Sequence, residues 1–364
     1  MISGRSTDTL KLLIVNDFAA EVKSFMSDPV ENIQVERSKM MDCTSSILIK
    51  VGTPKAHANS VADSLVQAQE AGHASHGVIR LIEYTNFVKQ GTVIPNSEPE
   101  IISERGASVV IDGKWGWGQI ACKFALQVAQ EKVKELGTVS LTVRSVNHIG
   151  RLGEYVERLA ESNLVSLMWC NSDPSVAAYA GRERLFGTNP FAAGIPTPNK
   201  PIVIDFATAA SAEGKLRVAR ANKQNIGPGI VIDKDGNESL NPQAFYDGGA
   251  LLPFGGHKGY CLSLMIELLG GGLSGGHPST SSRYLRGNGT VLIVMDPEFF
   301  VPRDSFFQDI SESKNRIANT ARVKPDQPVL LPGDVENLQR QKNQPVIAIS
   351  SAIWQSILEL ERSL

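Results

Sequence analysis

Three side chains capable of chemistry lie close together in the stretch 74–81, ASHGVIRL, which contains Ser75, His76 and Arg80. An imidazole can carry a proton near neutral pH, and a guanidinium can hold a carboxylate through two parallel hydrogen bonds. Because Arg80 is four residues past His76, a helical segment would place both side chains on one face. The pattern is typical of a site for a small 2-oxo or 2-hydroxy acid. A loop-bonding histidine and a surface arginine are the structural alternatives.

Two other histidines lie beside glycine, His148 in NHIG and His257 in GHKG. Loop positions next to flexible backbone favour a functional role, although a capping imidazole fits the same pattern. Lys258 follows His257 where a glycine-rich turn opens onto a helix. Free amide groups and a lysine at a helix start predict an anion site for a cofactor phosphate or carboxylate, and the alternative is a turn with an exposed lysine.

Two further motifs allow more than one interpretation. Asp205 closes the strand-like run VIDF, where it could orient a catalytic imidazole or cap the following helix. The segment 116–121, GWGQIA, matches the GxGxxA fingerprint of dinucleotide-binding proteins, and Arg144 after the next strand could hold a 2′-phosphate. However, Asp112 and Gly113 already form a turn before this segment, which favours a glycine hairpin or a helix-entry turn.

The order of helix-like and strand-like segments indicates an α/β protein. An amphipathic helix is expected between Thr53 and Gly72, and beyond residue 302 the chain becomes more polar and helical. The other expected elements are helices at 119–136, 155–161, 213–221, 259–275 and from about 351, and strands at 107–113, 138–143, 164–170, 201–207 and 289–296.

Composition excludes several classes of protein. The chain has 364 residues, 42% of them hydrophobic, and a formal net charge of -2, so no basic field exists to gather nucleic acid. The four cysteines are far apart, which indicates neither a metal site nor a disulfide framework and favours the reducing cytoplasm. The longest apolar runs are shorter than the ~20 residues of a membrane span, so no membrane partner is expected.

Five segments in a fixed order resemble the malate/L-lactate dehydrogenase family that is unrelated to Rossmann-fold lactate dehydrogenases and is also called sulfolactate-dehydrogenase-like. They are ASHGVIRLIEY, VNHIGRLGEY, GTNPFAAGIP, VIDFATAASAEGK and LLPFGGHKGY. The resemblance implies a non-Rossmann NAD(P)-binding domain with a mixed sheet at 106–302. It also implies a mainly helical substrate and oligomerisation domain formed by 35–105 and 303–364, preceded by an extension at 1–34 that has no counterpart.

The resemblance implies that NADH or NADPH reduces a small carboxylate substrate, a 2-oxo acid, to its 2-hydroxy acid. Some family members reduce cyclic imino acids instead, and a homodimer with sites near the interface is expected. Carried over residue by residue, Ser75 and Arg80 bind the substrate and His76 is the leading proton donor, with a proton-transfer role for His148 in some members. The residues that fall where the family contacts the nucleotide are Asn171, Ser172, Asp205, Phe206, Ala207, Thr208, His257, Lys258, Gly259, Gly333 and Glu336.

Two departures from the family pattern bear on the mechanism. Ala74 stands where the family usually has aspartate, and Ala209 stands where it usually has serine. The first removes a carboxylate that could tune His76, and the second removes a hydroxyl near the cofactor. The hypothesis is that an imidazolium at His76 protonates the growing alkoxide while Arg80 fixes the carboxylate. The rivals are a Rossmann-type NADP reductase built on GWGQIA and a binding protein that has lost activity.

Overall fold

Both ends of the described chain meet in a two-stranded antiparallel sheet. The computed structural model describes residues 32–221 and 223–364. Its first strand, β1 (Asn32–Glu36), pairs with β14 (Val346–Ser350), with Asn32 opposite Ser350. The expected N-terminal extension therefore lies outside the described residues up to residue 31, and its last three residues belong to the fold.

Between these strands the elements follow in mixed order. They are α1 (Arg37–Lys50), α2 (Lys55–Glu70), α3 (Arg80–Lys89), β2 (Glu100–Arg105), β3 (Ser108–Asp112), α4 (Gly118–Leu136), β4 (Thr138–Arg144), α5 (Leu152–Glu161), β5 (Val165–Cys170), β6 (Val176–Ala177), β7 (Arg184–Phe186), β8 (Phe191–Ile195), β9 (Ile202–Phe206), α6 (Glu213–Ala221), β10 (Val231–Ile232), β11 (Glu238–Ser239), α7 (Gln243–Tyr246), β12 (Ala250–Leu251), α8 (His257–Ile266), α9 (Gly272–Ser274), β13 (Thr290–Met295), α10 (Arg303–Ala318) and α11 (Asp334–Lys342), and α12 (Ser351–Ser363) follows β14.

A seven-stranded mixed sheet forms the centre of the molecule. Its order is β2-β3-β4-β13-β5-β8-β9, and only β3 and β4 run parallel. A Rossmann fold would require a mainly parallel sheet with crossover helices, so the predicted non-Rossmann α/β fold is confirmed. A smaller sheet of order β11-β10-β12-β6-β7 lies beside it.

Two separate hydrophobic cores follow from this arrangement. Helices α1, α2, α3 and α12 bury one core together with β1 and β14, because apolar side chains such as Val61, Ala62 and Leu65 recur at helical spacing on α2. The other core lies between the seven-stranded sheet and helices α4 and α5. The exact boundary between the expected domains remains a prediction.

A buried ion network joins the two cores. Glu154 on α5 is 4% exposed and accepts a hydrogen bond from Ser64 on α2 at 2.9 Å. Lys123 on α4 and Arg158 on α5 lie 3.3 and 3.2 Å from the same carboxylate oxygen. Because a buried carboxylate without partners is costly, this network fixes α2 against the sheet domain.

The GWGQIA segment forms a helix-entry turn. Trp117 precedes α4, is buried, and donates its indole N–H to Thr53 Oγ1 at 3.1 Å. A Cβ added at Gly118 would lie 2.7 Å from the carbonyl oxygen of His148. The glycine therefore makes room for protein backbone, and that carbonyl oxygen would repel a phosphate. Arg144 pairs with Asp112 at 3.2 Å.

Two strands differ from the sequence-based expectation. β14 lies in the part beyond residue 302 that was expected to be helical, and β2 lies in an expected loop. Both are edge strands, and β14 is stabilised by pairing with a segment more than 300 residues away in sequence, which local pattern does not reveal. Within the described residues no helix is long and apolar enough to cross a membrane, and no group of three or more candidate metal ligands occurs.

Candidate active site

Two imidazoles face each other at the junction of the two cores. His76 ends a single 3₁₀ turn, Ala74–His76, and His148 lies in the loop after β4. Their ring centroids are 5.4 Å apart, with an interplanar angle of 32°. Of the three glycine-flanked histidines, these two lie together. His257 lies at the start of α8, and its ring contacts that of Tyr179.

Each imidazole is anchored at Nδ1 by a hydroxyl group. Ser75 Oγ lies 3.0 Å from His76 Nδ1, and Tyr84 Oη lies 2.8 Å from His148 Nδ1. In the described chain neither Nε2 atom has a hydrogen-bond partner, and neither is among the enclosed polar atoms that lack one. Both Nε2 atoms therefore retain accessible surface, and a substrate oxygen could reach them.

Arg80 reaches this site by a different route from the one expected. The stretch 74–81 is not one helix, because Gly77 is extended, with ψ of -158°, and α3 begins only at Arg80. A Cβ at Gly77 would lie 2.3 Å from Gln69 Oε1, so a larger residue here would displace the end of the Gln69 side chain. Arg80 instead folds back and donates from Nε to the carbonyl oxygen of Ser75 at 2.7 Å.

The guanidinium of Arg80 has capacity left for a ligand. Nη1 donates to Glu83 at 2.5 Å, and within the described residues Nη2 has no hydrogen-bond partner. The side chain is 27% exposed, so it is accessible from the cleft. A guanidinium with a free Nη2 beside two imidazoles suits a ligand that carries a carboxylate next to a carbonyl or hydroxyl group.

Both histidines are held in the neutral state. Burial, and then the positive charges of Arg80, His73 and Arg151, lower the pKa of His76 to about 3. Burial and Arg80 hold the pKa of His148 well below its usual value. The hypothesis of an imidazolium at His76 concerns the ring with substrate bound and remains a prediction; in the free protein no carboxylate of the described residues contributes to the pKa of this ring, and Ala74 cannot supply one.

Asp205 lies beneath the site and contacts neither imidazole. Its carboxylate accepts a hydrogen bond from Gly153 N–H at 2.8 Å and lies 4.0 Å from Arg151 Nη1. Burial raises its pKa, and Arg151 opposes that shift. Within the described chain Asp205 therefore fixes the start of α5, and its predicted catalytic role remains a prediction.

Glu336 interacts electrostatically with Asp205 and Arg151. It pairs with His73 Nε2 at 3.2 Å, three residues before His76, and sits in the first turn of α11, which begins after Gly333. Burial raises the pKa of Glu336, but the hydrogen bond from His73, a backbone hydrogen bond and the electrostatic effects of His73 and Arg151 together outweigh it, so the net pKa is lowered. The pair ties the C-terminal segment to the loop that carries His76, and the predicted cofactor contact of Gly333 and Glu336 remains a prediction.

Several residues predicted to bind the nucleotide support loops. Asn171 is 0% exposed, donates to Glu267 at 3.1 Å and accepts from Gly289 N–H at 2.8 Å. Thr208 is equally buried and donates to the carbonyl oxygens of Thr188 and Asn189. Ser172 Oγ accepts from Thr188 N–H at 3.1 Å. A direct cofactor contact of these three side chains remains a prediction.

The turn before α8 carries free hydrogen-bond donors. Gly255 and Gly256 have φ of 56° and 63°, and within the described residues the amides of positions 255–258 have no backbone acceptor. His257 and Lys258 are exposed at the start of α8, whereas Gly259 is required by the close approach of the Phe254 carbonyl oxygen. Such a turn can hold an anionic group.

The segment 205–214 connects the turn before α8 to the loop that carries His76. Phe206, 37% exposed, follows Asp205, and its ring lies 5.8 Å from that of Phe254. Ala207, of intermediate exposure, follows, and a bridge between Ala209 and Pro253 continues the contact. Farther along, a Cβ at Gly214 on α6 would lie 2.9 Å from Ser75 Cβ. The segment 205–214 therefore spans from the amide-rich turn to the loop of His76.

Sequence reasoning missed Tyr84, His73, Arg151 and Gly214. Tyr84 lies four residues after Arg80, a spacing that could have assigned it to the same face of α3. No local signal identifies the others, because their contacts with Glu336, Asp205 and Ser75 join segments that are far apart in sequence.

Comparison with known proteins gives the class of this fold and site. The solved structure of sulfolactate dehydrogenase from Methanocaldococcus jannaschii matches with a TM-score of 0.83 and 29% identity, covering 91% of this chain and 97% of that one. Hydroxycarboxylate dehydrogenase B from Escherichia coli O157:H7 is 33% identical over 88% of this chain and 91% of its own length.

A Pseudomonas syringae pv. tomato reductase of Δ1-pyrroline-2-carboxylate and Δ1-piperideine-2-carboxylate is also 33% identical, over 90% of this chain and 96% of its own. The fold and site are thus those of a class of oxidoreductases. The family model for malate/L-lactate dehydrogenase matches residues 35–358, and the chain belongs to this family.

Proposed function

We propose that this protein is a nicotinamide-dependent oxidoreductase that interconverts a small 2-oxo acid and its 2-hydroxy acid. The observation that carries the proposal is the pair of imidazoles, 5.4 Å apart, whose Nε2 atoms are free and accessible, together with the available Nη2 of Arg80, which is held at Ser75 beside His76. Proton transfer at one end of a small substrate and carboxylate binding at the other are the two functions that this reaction demands of the protein.

The neutral state of His76 suits the oxidation of a hydroxy acid directly. An unprotonated Nε2 of His76 accepts the hydroxyl proton as the hydride leaves the adjacent carbon. In the reverse direction His76 must first gain a proton. A substrate carboxylate at Arg80 offsets the charge that lowers the pKa of His76, so binding of the oxo acid favours this protonation.

A nicotinamide cofactor fits the residues of the amide-rich turn. Free amides at 255–258 and the ammonium group of Lys258 match a phosphate in charge and hydrogen bonding, and the exposed ring of Phe206 offers a flat surface nearby. The bound cofactor supplies or accepts the hydride. The protein's own contribution is orientation and proton transfer.

Reduction of a cyclic imino acid is the second candidate, and the similarity to the Pseudomonas syringae reductase favours it. Arg80 would hold the same carboxylate, and a ring nitrogen would take the place of the carbonyl oxygen. An imine that arrives protonated needs no proton from His76, so a neutral His76 is no obstacle. The hydroxy-acid reaction is preferred because the other relatives named above are dehydrogenases of hydroxy acids.

A substrate panel tests the proposal. NADH and NADPH are each offered with pyruvate, oxaloacetate, branched 2-oxo acids and the cyclic imines of proline and pipecolate, and cofactor oxidation is followed by absorbance. We expect oxidation with at least one 2-oxo acid, which also assigns NADH or NADPH. Turnover of imines alone would favour the second candidate. No turnover and no cofactor binding would support the rival in which the chain is a silent binding protein.

Lys258→Gln is expected to weaken cofactor binding by about tenfold, because a loss of roughly 1.4 kcal/mol is reasonable for one partly solvated charge contact. Arg144→Gln is the matched control, since Arg144 already pairs with Asp112 beside the GWGQIA turn. Cofactor affinity is measured by fluorescence titration. A loss in Arg144→Gln with none in Lys258→Gln would favour the Rossmann-type rival.

We further propose a cytoplasmic homodimer. The resemblance to the family is the support for the dimer, and the unpaired state of Cys43, Cys122, Cys170 and Cys261 is compatible with a reducing compartment. Light scattering coupled to size-exclusion chromatography measures the mass, and a monomer at working concentrations would contradict the proposal.

A further inference from the structure

A hydrogen-bonded chain of two buried side chains ends at His148. Gln119 Nε2 donates to Tyr84 Oη at 2.7 Å, and Tyr84 Oη lies 2.8 Å from His148 Nδ1. Tyr84 is 2% exposed and Gln119 is 0% exposed. Gln119 belongs to the GWGQIA segment, so this motif, whose Gly118 lies against the carbonyl oxygen of His148, still reaches the two imidazoles.

The polarity of this chain determines where His148 carries its proton. The Tyr84 oxygen accepts the N–H of Gln119, and among the described residues the only other hydrogen-bond partner of this hydroxyl is His148 Nδ1, so its single proton is available to His148 Nδ1. A neutral imidazole that accepts at Nδ1 carries its proton on Nε2. The accessible Nε2 of His148 then carries the N–H, on a ring that neighbours His76.

His76 is not constrained in this way. Its Nδ1 partner is the hydroxyl of Ser75, whose position beside Nδ1 allows it either to donate or to accept. His76 can thus present an unprotonated Nε2 to the substrate, while His148 presents an N–H. On a single substrate oxygen, His76 could then accept the proton while His148 donates a hydrogen bond.

We propose that Tyr84 and Gln119 are positioning residues that hold His148 in the Nε2-protonated tautomer, so that its N–H donates to the oxygen of the bound hydroxy or oxo acid. The tautomer of His148 is a property of the free protein and does not depend on which substrate it binds. The effect on turnover rests on the proposed function.

Nitrogen-15 NMR of the histidine-labelled full-length protein tests the tautomer directly. The signal of His148 is identified by its absence in His148→Asn. In the wild type we expect an unprotonated Nδ1 and a protonated Nε2. In Tyr84→Phe the donor to Nδ1 is lost, and both nitrogen resonances are expected to move toward values for a mixture of tautomers. A protonated Nδ1 in the wild type would overturn the proposal.

Kinetics of the same variants test the consequence. Tyr84→Phe is expected to lower kcat by about 3- to 10-fold with little change in KM, the size of one ordinary hydrogen bond. Gln119→Met, which removes the donor to Tyr84 but keeps its volume, should produce a smaller change in the same direction. An unaltered kcat together with unaltered nitrogen resonances in Tyr84→Phe would refute the positioning role.

Tyr155→Phe is the matched control. Tyr155 is fully buried, and its hydroxyl donates to the carbonyl oxygen of Ile149, next to His148 but not to its ring. It should lose stability like Tyr84→Phe and keep the Nε2-protonated tautomer, so a tautomer change in both variants would refute the specific role of Tyr84. If no variant and no wild type turns over any substrate while the tautomer follows Tyr84, the positioning stands and the proposed function fails.

Discussion

His76→Ala is expected to reduce turnover by about 10²- to 10⁴-fold in both directions, the usual contribution of a general acid or base. In oxidation the neutral ring is the base, and in reduction its protonated form is the acid, so its loss should lower turnover in both directions. The measurement is kcat and kcat/KM for the acid identified in the substrate panel. KM should change much less, because Arg80 and its bond to the carbonyl oxygen of Ser75 remain.

His148→Ala is the comparison that assigns the roles. If His148 only donates a hydrogen bond, its loss should cost less than that of His76. His76→Asn is the conservative variant, since its amide can still bond the hydroxyl of Ser75 but cannot exchange a proton. A larger loss in His148→Ala than in His76→Ala would transfer the proton-transfer role to His148, and unchanged turnover in His76→Ala would exclude His76 from it.

The central part of the site could be predicted because its residues are adjacent in sequence. Ser75, His76 and Arg80 fall within six residues, and the family motif around His148 predicts that this second histidine joins the same site. The expected helical face was nevertheless wrong, because the extended Gly77 breaks the segment and the bond from Arg80 to Ser75 replaces helical spacing. Arg80 does lie beside the turn that carries His76, but the helix expected to bring them together does not form.

The electrostatic state of the site could not be predicted. The pKa of His76 depends first on burial and then on Arg80, His73 and Arg151, and the last comes from a loop that packs against it only in the folded protein. The missing carboxylate at Ala74 was visible in the sequence, but its consequence depends on how many other acids reach the ring. In the described chain none contributes to the pKa of His76.

The two glycine-rich motifs differ in how closely the surrounding residues pack against their turns. GWGQIA and GGHKG each precede a helix and each predict an anion site by pattern. At Gly118 the neighbouring carbonyl oxygen of His148 fills the space in front of the turn. At Gly255 nothing lies within 4 Å of an added Cβ, and within the described residues the amides of 255–258 have no backbone acceptor. Only the fold distinguishes a packed turn from an open one.

Replacing Arg80 by two different residues should separate its charge from its geometry. Arg80→Met and Arg80→Lys are both expected to raise KM for the acid by about 10- to 150-fold, because a charge-assisted hydrogen bond contributes roughly 1.5–3 kcal/mol. Steady-state kinetics with the preferred acid measure this. Arg303→Met, which removes an exposed arginine paired with Glu298, is the matched control and should leave KM unchanged.

The two variants should differ in pH dependence. In the wild type the pKa of His76 is about 3, so kcat/KM for oxidation should not fall as the pH is lowered from 7 toward 5 through protonation of this ring. Arg80→Met removes a positive charge that lowers this pKa, so the pKa rises and the acid limb moves to higher pH. Arg80→Lys keeps the charge and should keep the acid limb low. An equal shift in both variants would mean that hydrogen bonding by Arg80, not its charge, controls the protonation of His76. No shift in Arg80→Met would mean that burial and the remaining charged neighbours control it.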